Sequence, residues 1–136
     1  LIRYDQGDIV TLRPDACACG SPLPAIRVVG RTNDTLSFQT DRAGEVRLLP
    51  LALGTVIEET PDVRRFQAIK TAPKLIEVRL ETTLGADPEK VWNALDRRLR
   101  EYLSAQGAAS VAVKRSAEAP HPDPKSGKYR QVWAEL

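Results

Sequence analysis

The chain has 136 residues, enough for one ordinary domain with a real core and too few for most two-domain enzymes. Its 42% apolar and 28% charged residues are those of a folded protein rather than a disordered one. Twenty Lys and Arg against eighteen Asp and Glu leave a net charge of +2, which argues against an electrostatic nucleic-acid binder, and no run reaches the roughly eighteen apolar residues a membrane span needs.

The chain contains no methionine, and Leu1 opens an already patterned segment, "LIRYDQGDIVTL", so it is expected to be a piece of a longer polypeptide. The opening residues do not read as a signal peptide, and a cytoplasmic location is the default expectation. Within the opening piece, "IVTL" and "AIRVV" are predicted strands separated by the turn-rich "RPDACACGSPLP". That turn carries the only two cysteines, Cys17 and Cys19, too few for a secreted disulfide framework. One intervening residue is short for a zinc clip. Two readings stay open for the pair: reduced cysteines in a turn, or part of a metal site completed by residues elsewhere.

"VGRTNDT" is a polar break, and beyond it "LSFQT" and "GEVRLL" predict a hairpin turning at Asp41 to Gly44. Pro50 suits the first turn of a helix over Leu51 to Thr60, because its missing N–H is one that the first turn leaves unpaired. "VRRFQAIKT" and "KLIEVRLET" alternate apolar and polar residues around "APK", the pattern of a half-buried antiparallel pair. A helix follows from Asp87 to Ala105. Asp87 is its N-cap, Pro88 its first residue, Val91, Trp92, Leu95, Leu99, Tyr102 and Leu103 its buried stripe, and Gly107 its stop. "SVAVKR" is a last predicted strand, and Ser116 to Gly127 a polar, proline-rich linker leading to Lys128.

After the polar break the order is two strands, helix, two strands, helix, strand. That order predicts an α+β fold, a small antiparallel sheet with two helices packed on it. Fold alone does not give chemistry. Three short motifs bear on it: "YDQGD" (Tyr4 to Asp8), "VGRTND" (Val29 to Asp34) and "KSGK" (Lys125 to Lys128). Each alone is weak, since Gly-Asp and Ser-Gly turns are common. Their order and separation are much more specific.

Together the motifs resemble the C-terminal end of the adenylate-forming enzymes, which carry Tyr-x-x-Gly-Asp, then Gly-Arg-x-Asp-Asp at a hinge, then Ser-Gly-Lys near the end. "RYDQGDIV…CACGSPLPAIRVVGRTNDTL" looks most like the phenylacetate–coenzyme A ligase-like branch, where a Cys-x-Cys-Gly segment often precedes the hinge. The resemblance implies that residues 1–29 end a large N-terminal domain, 30–35 form a hinge, and 36–136 make a mobile, ferredoxin-like C-terminal domain. It implies that Asp8 binds the ribose hydroxyls of ATP or AMP, that Arg31 lies near the nucleotide, that Asn33 and Asp34 sit at the hinge, and that Lys128 is the catalytic lysine. ATP with Mg2+, a carboxylic acid and coenzyme A are the implied substrates, and the absent N-terminal domain is the implied partner. In the family the small domain swings in for adenylation and then rotates for thioester formation.

The chemistry gives the lysine a reason. When a carboxylate attacks the α-phosphate two anions approach, and an ammonium between them stabilises the charge that develops on the phosphoryl oxygens. Two stretches depart from the family pattern. Asn33 stands where an acidic residue is usual, and "SFQTDRAGEVRLLP" lacks the usual Lys-x-x-Gly loop, which leaves open a reaction that stops at the adenylate or an acceptor other than coenzyme A. Simpler roles stand beside these: Asp8 as a turn residue, Arg31 as a surface ion-pair partner, Lys128 as a solvated tail residue. The rival from another class is a stand-alone, non-enzymatic ferredoxin-like binding or regulatory module, which as a single-strand binder would expose aromatic residues on its sheet.

Overall fold

A computed structural model describes residues 8–31, 35–40 and 44–135. β1 (Asp8–Arg13) and β2 (Ala25–Arg31) form an antiparallel ladder in which Val10 pairs with Val28 and Leu12 with Ile26. Side chains directly opposite one another share a face, so these four make one apolar surface, and all four are exposed. β3 (Leu36–Gln39) and β4 (Glu45–Leu48) make the expected second hairpin, whose neck is closed by a hydrogen bond from the Thr40 N–H to the Gly44 carbonyl. Leu36, Phe38 and Leu48 turn inward and join the main core.

α1 (Pro50–Glu58) starts at its proline as predicted, without a side-chain cap on Leu49, and buries Leu53, Gly54 and Ile57. A Cβ added at Gly54 would sit 3.7 Å from the Phe66 ring, in ordinary van der Waals contact, so the helix lies directly on the sheet at this point. β5 (Val63–Ala72) and β6 (Leu75–Thr82) are the predicted antiparallel pair. α2 (Pro88–Ala105) is capped by the Asp87 carboxylate, which accepts from the Glu89 N–H at 3.0 Å. It buries Val91, Leu95, Leu99 and Leu103, while Trp92 and Tyr102 pack at the margin of the core. Gly107 ends it with φ of +78°, a value glycine adopts without strain. Arg97 and Arg100 are exposed and Arg98 pairs with Glu59 on the polar side of the helix.

β7 (Ala112–Arg115) and β8 (Val132–Ala134) complete a sheet of order β7-β6-β5-β8. The α+β class and the two packed helices are as expected, but the sheet is mixed rather than antiparallel. Only β5 and β6 run antiparallel; β7 lies parallel to β6, and β8 parallel to β5. The physical reason for β7 is the connection: α2 carries the chain back along the sheet, so the next strand enters in the direction of the last. β8 falls in a stretch that the sequence pattern left as tail.

Alternation on β5 gives the sheet two different faces. Phe66 and Ala68 point into the helical core, with Ile76 and Val78 of β6. Gln67 occupies the alternate position and faces the side on which the C-terminal segment lies, where its amide meets the backbone of His121 and Arg130. Among the described residues no helix is long and apolar enough to cross a membrane.

Candidate functional site around Lys128

The expected linker from Ser116 to Gly127, and the residues that follow it to Gln131, are tied to the sheet at defined points. The start of the linker continues β7, with the Ser116 N–H on the Val78 carbonyl, and Pro120 is buried. Gln67, itself buried, holds the chain at His121 and again at Arg130. Arg79 of β6, largely buried, pairs with Glu118 and reaches the His121 ring, its Nη1 3.1 Å from Nε2. With Nδ1 of His121 donating to the Pro122 carbonyl, Nε2 is left as the acceptor for Arg79.

Between those two points the chain makes a tight turn that carries Lys128. The Asp123 carboxylate oxygen Oδ1 accepts from the Ser126 N–H at 2.7 Å, the Lys125 N–H at 2.9 Å and the Ser126 hydroxyl at 3.0 Å. These bonds to the charged form, from Ser126 above all, hold the Asp123 carboxyl below the usual aspartate range. The backbone closes the same turn: the Gly127 N–H donates to the Asp123 carbonyl at 2.8 Å, and the Asp123 N–H to the Lys128 carbonyl at 2.9 Å. Gly127 has φ of +68°, where a side chain would be strained, and with Ser126 it forms the tip of the turn. On the exit side the Tyr129 hydroxyl donates to the Phe66 carbonyl at 2.9 Å, and Arg65 lies over the ring. Partial burial raises the Tyr129 hydroxyl above its ordinary range.

Lys128 itself is exposed, and among the described residues no hydrogen bond or ion pair engages its ammonium. Its backbone is ordered by the turn while its charge is uncommitted. It borders two clefts. One of about 360 Å³ lies against α1 and is lined by Pro50, Gly54, Thr55 and Glu58 with Tyr129 and Gln131. The other, of about 140 Å³, lies between the turn and the polar sheet face and is lined by Gln67, Arg79, His121, Arg130 and Trp133.

The remaining predicted residues sit elsewhere. Asp8 is exposed at the start of β1 and is the ladder partner of Arg31 at the end of β2, so the two nucleotide candidates are neighbours across one sheet. Asn33 and Asp34 lie outside the described residues. Cys17 and Cys19 are exposed in a turn closed by the Gly20 N–H on the Cys17 carbonyl, with their sulfurs 2.7 Å apart. The hydrogen bond with Cys17 lowers the Cys19 thiol from its ordinary value. Among the described residues no group of three or more metal-ligating side chains gathers anywhere. A third cleft, apolar and lined by Thr11, Arg27, Val28, Leu49, Leu51 and Ala52, joins the opening hairpin to α1.

Gln67, Arg79, Asp123 and Tyr129 are the residues that sequence reasoning missed. A signal existed for Gln67, since strand alternation puts it opposite Phe66 and Ala68, but nothing in the pattern says what covers that opposite face.

No family model and no curated protein matches the chain. Among solved structures, the fold recurs in the acetoacetyl-CoA synthetase from Streptomyces lividans, 20% identical with a TM-score of 0.52, over 93% of this chain and 17% of that one. It recurs in a 2-hydroxyisobutyryl-CoA ligase in the postadenylation state in complex with 2-HIB-AMP, 17% identical with a TM-score of 0.60, over 95% of this chain and 26% of that one. The likeness is one of fold, and the chain spans about a quarter or less of either protein's length.

Proposed function

We propose that this chain is the C-terminal portion of an ATP-dependent acid-activating ligase. Residues 1–29 would belong to its large N-terminal domain, 30–35 to the hinge and 36–136 to the mobile domain. The observation that carries this reading is Lys128: an ammonium that, among the described residues, meets no partner, on a turn fixed by Asp123 and Gly127, in a fold that recurs over nearly all of this chain in an acetoacetyl-CoA synthetase and a 2-hydroxyisobutyryl-CoA ligase. The exposed apolar face of Val10, Leu12, Ile26 and Val28 supports a further domain, because a contiguous exposed apolar patch marks an interaction surface. The rival module finds less support, since the sheet aromatics Phe66 and Trp133 are buried and offer no stacking platform.

In the proposed reaction a carboxylate oxygen bonds to the α-phosphorus of ATP, pyrophosphate leaves, and an acyl-adenylate forms. Lys128 supplies positive charge where negative charge develops, and its fixed backbone saves reorganisation at that moment. Asp8 accepts from the ribose hydroxyls, and Arg31 lies beside the nucleotide. Mg2+ arrives with ATP as part of the substrate. Coenzyme A is the proposed acceptor, its thiol displacing AMP to give the thioester. The phenylacetate–coenzyme A ligase-like branch is the proposed relationship, resting on the Cys-x-Cys-Gly segment at Cys17 to Gly20.

The test is ATP–pyrophosphate exchange with a panel of carboxylic acids. The longer polypeptide should exchange with at least one acid, and residues 1–136 alone should not, because the acid pocket and half the nucleotide site are elsewhere. Robust exchange by the 136-residue chain, or none by the longer one with any acid, would overturn the proposal.

A further inference from the structure

We propose that Gln67 positions Lys128, acting as a single-residue staple across the neck of the loop that carries it. The inference rests on the adenylation role proposed for Lys128 and extends it to a residue on the opposite side of the chain. Gln67 is 2% exposed, and all the hydrogen-bonding positions of its carboxamide are used. Nε2 donates to the His121 carbonyl at 2.8 Å and to the Arg130 carbonyl at 3.0 Å. Oε1 accepts from the His121 N–H at 3.2 Å and from Nη1 of Arg79 at 3.4 Å. His121 and Arg130 are the two ends of the loop that holds Asp123, Gly127 and Lys128. One amide therefore fixes the entry and the exit of the loop to the same point on the central strand β5.

This arrangement needs glutamine. Two carbonyl oxygens and one N–H must be met from a single planar group, which calls for two donors and an acceptor side by side; a carboxylate offers only acceptors, and asparagine falls a methylene short. The neighbours add to the grip without replacing it. The Ala68 N–H binds the Gln131 carbonyl at 2.7 Å, just past the exit. Arg79 ties the entry through Glu118 and the His121 ring. Gln67 bonds directly to both ends.

The test uses Gln67→Met, which keeps the size and loses every bond, and Gln67→Glu, which keeps the acceptors and loses both donors. Hydrogen exchange in the 136-residue chain reads the loop through the Asp123 and Gly127 amides and the sheet through the β5–β6 ladder. The expected result for both variants is loop exchange faster by roughly tenfold or more, with ladder amides changed by less than about threefold. In the longer polypeptide, adenylation kcat should fall by about tenfold or more, with KM for ATP within about twofold, and thioester formation from supplied acyl-adenylate should hold. Unchanged loop exchange would overturn the inference, and so would equal acceleration across loop and sheet, which marks an ordinary core residue. Full adenylation activity in both Gln67 variants, with Lys128→Ala inactive, would overturn it as well. A loosened loop in the Gln67 variants with Lys128→Ala fully active would uphold the staple and overturn the function proposed for the lysine.

Discussion

Lys128→Ala separates chemistry from folding more cleanly than any other substitution in this chain. Its side chain is exposed and, among the described residues, its ammonium meets no hydrogen-bond or ion-pair partner. The bonds that hold the turn use backbone atoms and the Asp123 carboxylate, none of which the substitution removes. Stability should therefore change by no more than about 0.5 kcal/mol, the usual range for a surface site without special contacts. The rate is a different matter. A preorganised charge aimed at a developing oxyanion is worth about 3 to 4 kcal/mol, or between two and three orders of magnitude in rate.

The assay is the longer polypeptide, run as two half-reactions. Pyrophosphate exchange should fall by roughly a hundredfold to a thousandfold. Nucleotide binding should fall much less, because Asp8 and the remaining domain supply most of its contacts on the proposed reading. Conversion of supplied acyl-adenylate to thioester should be nearly unchanged, since on the proposed reading rotation of the small domain takes the lysine out of the site. Parallel loss of both half-reactions, or loss of neither, refutes Lys128 as the adenylation lysine.

Leu99→Ala supplies the opposite control: Leu99 is fully buried in the core, so denaturant titration should show a loss of about 2 to 5 kcal/mol. Acid should open the Lys128 turn late, because the Asp123 carboxyl is lowered and its bonds to Ser126 persist below the ordinary value of 3.8, being lost only as pH falls through the depressed one. The Ser126 amide resonance reads this directly, Asp123→Asn should abolish the step, and a transition at or above 3.8 would contradict the turn as described.

Helix α2 was fully legible, because cap, first-turn proline, apolar stripe and stop all act within a few residues of one another. Asp87, Pro88, Leu95, Leu99 and Gly107 each carry local information that no distant contact contradicts. The central hairpin was legible for the same reason, through alternation about Phe66 and Val78. Strand direction was not, since β7 is set by the path of α2 over the sheet and not by anything in "SVAVKR". β8 was invisible because three residues between a basic stretch and the C-terminus carry no periodicity; the edge of β5 recruits them. The candidate site divides in the same way. Lys128 came from motif order, whereas Asp123 and Gln67 act through bonds that only the folded arm creates.

Those bonds decide where motion must reside if Lys128 is to enter and leave a reaction site. The prolines of "HPDPKSGKYRQVW" invite the view of an arm that swings on a flexible tether. The structure ties that arm to β5 through both donors of Gln67, the His121 N–H on its oxygen, the Tyr129 hydroxyl on Phe66 and the Ala68 N–H on Gln131. Net contributions near 1 kcal/mol or slightly less for each bond sum to about 3 to 5 kcal/mol, so a released arm occupies less than about one molecule in a hundred. A lysine so held is delivered by moving the whole sheet, helices included, because moving the arm alone would break the contacts that aim it. On the proposed reading the freedom therefore belongs to the connection between β2 and β3, at residues 30–35, where Asn33 replaces an acidic residue and favours backbone angles that other residues avoid. Precision at Lys128 and mobility at the hinge are then two halves of one requirement: the charge must be rigid within its own domain to stabilise the transition state, and the domain must be free enough to withdraw it afterwards.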